Sequence, residues 1–173
     1  MGRMPYHIHV FPYRERNGKT EFAIFQRSDL PEIWQGIAGG GEQGESILQT
    51  ALRECAEEGN IVMPGPLYPL DSISVMRSTV FPEWTDAWGK DVVVLPMYFF
   101  GMPYEGEIKL SEEHLCFAWM PFEQADAVVK MPDQNTALWE LSERLVRDNI
   151  KREPPQWMAE PWKESFLLPH VLR

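Results

Sequence analysis

Residues 39–61 read GGGEQGESILQTALRECAEEGNI, a glycine-rich turn followed by a helix. Glu54, Glu57 and Glu58 stand at positions i, i+3 and i+4, so a helix brings them to one face. Each pair of like charges at i, i+4 costs roughly 0.2–0.5 kcal/mol, and a helix C-terminus already carries partial negative charge. The stretch therefore predicts a bound cation, and ligands that are all oxygen favour Mg²⁺ or Mn²⁺.

The opposite side of the same helix is an apolar stripe, which predicts that this face packs on a hydrophobic core. The stripe consists of Ile47, Leu48, Ala51, Leu52 and Cys55. Ser46 is a suitable N-cap, and Asn60 suits the left-handed position after the helix, where asparagine is the usual substitute for glycine. One face is therefore expected to anchor the helix and the other to carry the chemistry.

Residues 39–61 resemble the signature sequence of the Nudix hydrolases, G-x5-E-x7-R-E-U-x-E-E-x-G-U, in which U is an apolar residue. The matching positions are Gly39, Glu45, Arg53, Glu54, Glu57, Glu58 and Ile61, with Cys55 in the first apolar position. Asn60 replaces the second glycine of the signature, and asparagine tolerates the same backbone region. So many specified positions in one register make the resemblance far more specific than a lone glycine motif.

This resemblance implies an α/β (α+β) fold, in which a mixed β-sheet lies within an α/β/α sandwich. It also implies Mg²⁺-dependent hydrolysis, with Mn²⁺ as the alternative ion, of a nucleoside diphosphate linked to another group. Glu54 and Glu58 would be metal ligands, Glu57 a further ligand or the base that prepares water, and Arg53 the residue that orients the carboxylates. The carbonyl group of Gly39 is a further candidate ligand.

The acidic cluster also has a structural interpretation. A glutamate-rich helix end is most often a solvated face, and an arbitrary RExxEE sequence is interpreted in that way. The glycine-rich turn, Glu45, Arg53 and the apolar flanks all lie in one register here, which favours the functional interpretation.

The composition is that of a single globular domain with a sizeable core: 173 residues, 44% of them hydrophobic and 24% charged. A net charge of −10 argues against a nonspecific nucleic-acid binder, which needs clustered Lys and Arg. No stretch has the layout of a signal peptide or the roughly 20 apolar residues that span a bilayer, so we expect a cytoplasmic protein. Cys55 and Cys116 lack metal-ligand spacing and are expected to be reduced, packed thiols.

Alternation and apolar runs predict the order of the remaining elements. The predicted strands are 6–14, 21–27, 34–38, 71–80 and 92–100. Within 110–119 a polar SEEH cluster precedes a further apolar, strand-like run, and a short helix is expected after Met120-Pro121. The first two strands should form a hairpin around Asn17-Gly18, and an amphipathic helix at 133–149 should pack on the sheet opposite the first helix. Residues 1–149 form the domain. The Pro- and Trp-rich tail, 150–173, should pack on the body or on a partner subunit, which is compatible with a homodimer.

Several residues outside the signature have two interpretations. Arg27 ends the second strand and is expected to contact a substrate phosphate or to form a surface ion pair. Trp34 is expected either in the core or at the edge of the pocket. Trp84 and Trp88 lie in a polar loop, where they would stack on a base or pterin ring, close as a lid or form a dimer contact.

Two histidines, His7 and His9, project to the same side of the first strand, a pattern that also occurs in metal sites. A third ligand is not found near them in the sequence. We therefore interpret both as packing or surface residues.

Three further features resemble, within the family, the bacterial dihydroneopterin triphosphate pyrophosphohydrolases, also called dATP pyrophosphohydrolases. They are Trp34-Gln35 before the glycines, Glu113-His114 before an aromatic strand that ends in Trp119, and a last helix that opens near Asn135. This resemblance implies that Glu113 is an additional metal ligand or base, and that Gln134 or Asn135 lies near the substrate.

The leading hypothesis is a Mg²⁺-dependent pyrophosphohydrolase that acts on a nucleoside or pterin triphosphate and releases pyrophosphate. A second hypothesis changes the substrate to ADP-ribose, a dinucleotide, a nucleotide sugar or a capped RNA end, because specificity resides in loops outside the signature. A third is a regulatory module that binds a nucleotide without turnover. Its expected mark is a broken signature, whereas every carboxylate is present here.

Overall fold

The computed structural model describes residues 2–150 and 152–167, except the side chains of Ser165 and Leu167. In this part of the chain, seven strands form one sheet and are accompanied by four α-helices. The elements are β1 (Arg3–Arg16), β2 (Lys19–Arg27), β3 (Trp34–Gln35), β4 (Ile37–Glu42), α1 (Ile47–Gly59), β5 (Tyr68–Arg77), α2 (Pro82–Trp88), β6 (Val94–Pro103), β7 (His114–Met120), α3 (Phe122–Val128) and α4 (Pro132–Val146). None of these helices is long and apolar enough to cross a membrane.

The strand order in the sheet is β3-β2-β1-β6-β5, with β4 also paired to β1 and β7 to β2. β1 and β6 run parallel and the other pairs antiparallel, so the sheet is mixed, as predicted. β1 and β2 form the predicted hairpin. Asn17 and Gly18 adopt positive φ angles of 53° and 73° in its turn, which is the conformation that a tight two-residue hairpin turn requires.

The alternation of β1 divides its side chains between two hydrophobic cores, one on each face of the sheet. Ile8 and Val10 pack in the core with α1, whereas Phe11 and Tyr13 pack in the core with α4. The buried side chains that α4 contributes are Ala137, Leu138 and Leu141. The last helix therefore packs opposite α1, as predicted, although it ends at Val146 rather than at residue 149.

Both ends of α1 are capped by the residues that the sequence indicated. Ser46 and Gln49 form a capping box, in which each side chain bonds to the backbone N–H of the other. Asn60 adopts the left-handed conformation, with φ 53°. The predicted apolar stripe is narrower than expected, because Leu52 is 38% exposed.

Residues 34–38 form two strands instead of the single strand predicted. β3 pairs with β2, and after Gly36 the chain crosses to β1 as β4. A Cβ atom at position 36 would lie 2.6 Å from the carbonyl oxygen of Val10, so only glycine allows this crossing.

The segment that carries Trp84 and Trp88 is the helix α2, so its assignment to a polar loop is wrong. Pro82 and Glu83 occupy the first turn, where proline and an acidic residue both favour a helix start. Trp88 Nε1 donates a hydrogen bond to the carbonyl oxygen of Arg3 at 2.5 Å, which holds α2 against the beginning of β1.

The described part of the tail packs on the domain. Met158, Trp162 and Phe166 are buried and belong to the core beneath α1. The remainder of the predicted tail, Lys151 and residues 168–173, lies outside the described residues.

The two cysteines are free thiols, as predicted, but only one of them is packed. Cys55 is buried in α1, whereas Cys116 is exposed on β7 and lies 3.3 Å from Gln26 Oε1. The prediction of a packed thiol is therefore wrong for Cys116.

The left-handed cap at Asn60 can be tested by two substitutions. Asn60→Ala is expected to lower the free energy of unfolding by about 1 kcal/mol, because a Cβ-bearing residue without a polar side chain disfavours this conformation. Asn60→Gly, which restores the residue of the Nudix signature, should leave it nearly unchanged. Urea denaturation of both variants measures the difference, and equal stabilities would contradict the strained cap.

Candidate active site

The closest approach between α1 and β4 places Glu54 on the backbone of Gly39. A Cβ atom at position 39 would lie 2.0 Å from the carboxyl carbon of Glu54, so any side chain there would displace the carboxylate. One turn further along α1, Glu58 reaches the same strand, where Ala38 N donates to Glu58 Oε2 at 3.3 Å. Two carboxylates are thereby held against β4.

Arg53 connects three acidic residues of the signature. Its Nε atom donates to Glu45 Oε1 at 2.8 Å, and Nη1 donates to Glu54 Oε1 at 2.8 Å and to Glu57 Oε2 at 3.2 Å. Nη2 donates to the carbonyl oxygen of Gly40 at 2.9 Å. One guanidinium group therefore contacts three carboxylates at once, and its role in orienting them stays a prediction.

Glu54 and Glu58 are buried, at 7% and 2% exposure. Burial raises the pKa of Glu54 to about 7, although the positive charge of Arg53 opposes the shift. Burial and the negative charge of Glu54 raise the pKa of Glu58 to about 9. Both carboxyl groups therefore tend to hold protons near neutral pH unless another cation is present.

The two other candidate carboxylates are exposed to solvent. The Glu57 side chain is 55% exposed at the surface of α1. Glu113 lies in the loop before β7, and its negative charge contributes to the raised pKa values of both Glu54 and Glu58. That loop is fixed to the end of β2, because Ser28 N donates to the carbonyl oxygen of Glu113 at 2.9 Å. Glu113 therefore faces the same site from another element.

His114 belongs to the site, although the sequence assigned it no role. Its Nε2 atom lies 3.6 Å from Glu58 Oε2, and both side chains are 2% exposed. Burial and the nearby positive charge of Arg27 lower the pKa of His114, so the imidazole is neutral near pH 7 and adds no positive charge. The sequence offered one indication that His114 belongs to the site, because His114 directly follows Glu113 at the start of a strand.

The carboxylates line a cavity of about 1140 Å³. Its first wall comes from β4, α1 and the loop before β7. A second wall comes from β1, α2, β6 and α4, and is formed by Arg3, His7, His9, Phe81, Trp84, Met97 and Gln134. The cavity is therefore acidic on one wall and rich in rings on the other.

His7 and His9 are packed residues, as interpreted, and they also line the second wall. The rings of His7 and Phe81 stack with centroids 5.3 Å apart, and those of His9 and Phe99 with centroids 5.2 Å apart. Burial lowers the pKa of His9 to about 4, and burial together with the His9 charge lowers the pKa of His7. Both imidazoles are thus neutral near pH 7.

The predicted substrate-contacting residues separate into two groups. Arg27 and Gln134 line the cavity, and Arg27 is paired with Asp29 by an Nε–Oδ1 contact of 2.8 Å. Trp34 packs instead against the core beneath α4, while its neighbour Gln35 lines the cavity. Asn135 is turned towards α3, where its Nδ2 atom donates to Asp126 Oδ1 at 2.8 Å. A substrate contact by Trp34 or Asn135 gains no support from this arrangement.

The predicted metal ligands were Gly39, Glu54, Glu57, Glu58 and Glu113. Across residues 2–150 and 152–167, no three His, Cys, Asp or Glu side chains are grouped as a ready-made metal site. In the described structure, Arg53 Nη1 holds one oxygen of Glu54 and one of Glu57. The chemistry still fits a hard divalent cation, since the donors are carboxylate oxygens whose protons such an ion would replace. The ligand set stays a prediction.

Among solved structures, a protein described as a NUDIX hydrolase from Listeria monocytogenes strain 4b F2365 is similar to this chain. The TM-score is 0.76 and the sequences are 31% identical, covering 87% of this chain and 100% of the other. The dihydroneopterin triphosphate pyrophosphohydrolase of E. coli has a TM-score of 0.64 at 23% identity, covering 82% of this chain and 99% of that one. At 23% identity, the similarity to the E. coli enzyme shows a shared fold and nothing more.

Curated relatives cover similar parts of the chain. The asymmetrical bis(5'-nucleosyl)-tetraphosphatase of Sus scrofa is 32% identical over 124 residues, which are 72% of this chain and 80% of the relative. The dihydroneopterin triphosphate diphosphatase of Escherichia coli K12 is 30% identical over 110 residues, which are 62% of this chain and 73% of the relative. The RNA pyrophosphohydrolase of a Nitratiruptor species is 31% identical over 117 residues, which are 68% of this chain and 64% of the relative.

The family model of the NUDIX domain matches residues 5–145. This match includes the whole of α1 with its carboxylates and every residue that lines the cavity except Arg3. With the signature, the fold and the relatives in agreement, the chain belongs to the Nudix family and is a hydrolase of phosphoric anhydride bonds.

Proposed function

We propose that this Nudix hydrolase is a Mg²⁺-dependent pyrophosphohydrolase that converts a nucleoside or pterin triphosphate to its monophosphate and pyrophosphate. The observation that carries the proposal is the pair of buried carboxylates, Glu54 and Glu58, held against Gly39 on one wall of a large cavity. dATP and dihydroneopterin triphosphate are the candidate substrates. A relative of 30% identity is named for the second of these.

The second wall of the cavity suits the ring of such a substrate. Trp84 presents a flat apolar face, on which a base or pterin can stack. The ring of Phe81 already stacks on His7 and lies beneath the guanidinium group of Arg3. Gln134 Oε1 is buried and has no hydrogen-bond partner among the described residues, so a ring N–H that reaches it would satisfy it. The triphosphate would then extend towards Gly39, with Arg27 near a phosphate oxygen.

Mg²⁺, when bound, neutralises phosphate charge and lowers the pKa of water. Glu54 and Glu58 would hold the ion, with Gly39, Glu57 and Glu113 as the further candidate ligands. Glu57 or Glu113 takes a proton from the attacking water while the water oxygen forms a bond to phosphorus. The anhydride bond in line with that oxygen breaks, and pyrophosphate leaves with the electron pair.

The second candidate substrate is a dinucleoside polyphosphate, because a relative of 32% identity is the asymmetrical bis(5'-nucleosyl)-tetraphosphatase of Sus scrofa. The cavity of about 1140 Å³ is at the upper end of the usual range for small-molecule sites, and a second nucleoside needs such space. ADP-ribose and a 5'-triphosphorylated RNA end keep the same mechanism. A module that binds nucleotides without turnover remains the alternative from another class.

Free thiols at Cys55 and Cys116 are in keeping with a reducing compartment. We propose the cytoplasm as the place of the reaction.

Product analysis tests the reaction directly. Purified protein with Mg²⁺ is incubated in ¹⁸O-labelled water with nucleoside and deoxynucleoside triphosphates, dihydroneopterin triphosphate, diadenosine tetraphosphate, ADP-ribose and triphosphorylated RNA. We expect a triphosphate to yield monophosphate and pyrophosphate, and the position of the label identifies the phosphorus that water attacks. Cleavage of only dinucleotides or ADP-ribose would replace the proposed substrate, and binding without cleavage would support the regulatory module.

The role of Glu57 as the base can be measured with Glu57→Gln. Since the side chain is exposed, the variant should unfold at the wild-type temperature, while turnover falls by about 100-fold or more. Glu112→Gln is the matched control, because Glu112 is also an exposed glutamate on the cavity wall. Turnover near the wild-type value in Glu57→Gln would exclude Glu57, and Glu113→Gln would then test the other candidate.

The raised pKa values of Glu54 and Glu58 predict how stability depends on pH without metal. Both groups bind protons more tightly in the folded chain than in the unfolded chain, so their contribution to stability falls as the pH rises from about 5 towards 9. Below about pH 7 the lowered pKa values of His7, His9 and His114 act in the opposite direction, because these imidazoles bind protons more tightly in the unfolded chain. We therefore expect the net fall in stability between about pH 7 and 9. The slope is at most about 1.4 kcal/mol per pH unit for each group.

Chemical denaturation with EDTA, and then with Mg²⁺ or Mn²⁺, measures this slope. We expect the divalent ion to stabilise the protein most at the alkaline end, because the ion replaces the protons. Glu58→Gln should flatten the metal-free profile. A profile that rises between about pH 7 and 9 in EDTA, where the histidines are neutral in both states, would contradict the burial of two excess negative charges.

A further inference from the structure

The C-terminal clasp, defined as residues 156–166, lies against the N-terminal end of α1. Its backbone joins the loop that precedes the helix at two points. Pro161 forms an isolated antiparallel bridge with Ser46, and Trp162 N donates to the carbonyl oxygen of Glu45 at 3.0 Å. The clasp therefore contacts a residue of the Nudix signature directly.

The side chain of Trp162 makes a second connection, through Tyr6. The two rings stack with centroids 5.3 Å apart and planes inclined by 25°. Tyr6 enters this space only because Gly41 faces it, since a Cβ atom at position 41 would lie 2.1 Å from the tyrosine ring. The stack is fully enclosed, with Tyr6 at 0% and Trp162 at 6% exposure.

The hydroxyl group of Tyr6 continues the connection into α1. It lies 2.6 Å from Thr50 Oγ1, and Thr50 Oγ1 donates to Glu45 Oε2 at 2.8 Å. Because Thr50 has a single hydroxyl proton and an ionised carboxylate only accepts, Tyr6 is the donor to Thr50. The hydroxyl groups of Tyr6 and Thr50 thus point in sequence towards Glu45.

Glu45 connects this series of hydrogen bonds to Arg53 and, through it, to the Glu54 carboxylate. Its Oε1 atom accepts from Arg53 Nε at 2.8 Å, and its Oε2 atom accepts from Arg53 Nη2 at 3.1 Å and from Glu42 N at 3.0 Å. The other end of the same guanidinium donates to Glu54 Oε1 at 2.8 Å. An unbroken series of contacts therefore runs from Trp162 to a carboxylate that lies against Gly39.

We propose that the C-terminal clasp is a positioning element of the active site, in which Trp162 acts through Tyr6, Thr50 and Glu45 to fix Arg53 and so the Glu54 carboxylate. Trp162 is a positioning residue and touches neither substrate nor metal. The inference depends on the proposed function only in assuming that the site binds a divalent metal ion. The hydrogen bond between Arg53 and Glu45 is measurable without metal or activity.

Two readouts separate positioning from general stability. The first is the dissociation constant of Mn²⁺, from the electron paramagnetic resonance signal of the free ion. The second is the Arg53 Nε–H signal in a ¹⁵N-resolved NMR spectrum of the metal-free protein, which reports its bond to Glu45. The urea midpoint of each variant measures how much the substitution destabilises the fold.

Trp157→Ala is the matched control for Trp162→Ala. Trp157 belongs to the same clasp and core, and its ring contacts Tyr98, at 5.8 Å, and Phe166. These two rings in turn contact the relay that runs from Trp162 to Glu54, Tyr98 at Tyr6 and Phe166 at Trp162, so these contacts connect Trp157 to the relay indirectly. Both substitutions remove a packed tryptophan and should lower the urea midpoint. Trp162→Ala is expected to weaken Mn²⁺ binding about 10-fold, as does loss of a residue that orients a metal ligand, and to shift the Arg53 signal. Trp157→Ala should change both by clearly less, because its two ring partners lie between it and the relay.

Tyr6→Phe removes only the hydroxyl group at the middle of the relay and leaves the clasp in place. It should weaken Mn²⁺ binding in the same direction, and combining it with Trp162→Ala should add little, because both act on one series of contacts. Trp162→Phe, which keeps an aromatic ring for the stack, should restore most of the affinity. If Trp162→Ala does not fold, Tyr6→Phe decides the question.

Equal losses of Mn²⁺ affinity in Trp162→Ala and Trp157→Ala would overturn the proposal, as would a wild-type Arg53 signal in Tyr6→Phe. A wild-type protein that binds no Mn²⁺ would instead count against the proposed function. In that case the Arg53 signal alone would decide the role of the clasp, so the two failures are distinguishable.

Discussion

The burial of two carboxylates between α1 and β4 is the constraint on which the site depends. Removing a carboxylate from water is costly unless the group is paired or protonated, and Glu54 and Glu58 are almost fully removed. α1 approaches β4 closely enough to do this only because position 39 has no side chain. Helix caps at Ser46 and Asn60 then fix where the helix begins and ends.

One guanidinium group does not balance the negative charge collected around it. Arg53 contacts three carboxylates, those of Glu45, Glu54 and Glu57, and Glu113 adds a further charge from the loop before β7. Burial raises the pKa values of Glu54 and Glu58, and the neighbouring negative charges add to the shift. A divalent cation would supply the missing positive charge, so the predicted instability of the metal-free site and the proposed binding of metal have one physical origin. Strongly shifted pKa values are typical of catalytic sites for this reason.

Local signals predicted the elements that depend on a residue's own backbone preference. The Asn17-Gly18 turn, the capping box and the left-handed Asn60 all follow from such preferences. The predictions that failed depend on distant contacts. Gly36 splits the strand at 34–38 because the carbonyl group of Val10 lies behind it. α2 is held through Trp88 by the carbonyl oxygen of Arg3, which is 85 residues away along the chain.

By itself, the sequence determined the family, the order of the main strands, and a capped helix with three carboxylates at one end. Only the tertiary structure decided that Glu54 and Glu58 are buried while Glu57 is exposed, and that Gln134 reaches the cavity while Trp34 and Asn135 do not. The physical reason is that residue spacing sets the direction of a side chain on its own helix or strand. Burial, pKa and contact depend on which other elements pack there, and those are brought together only by the folded chain.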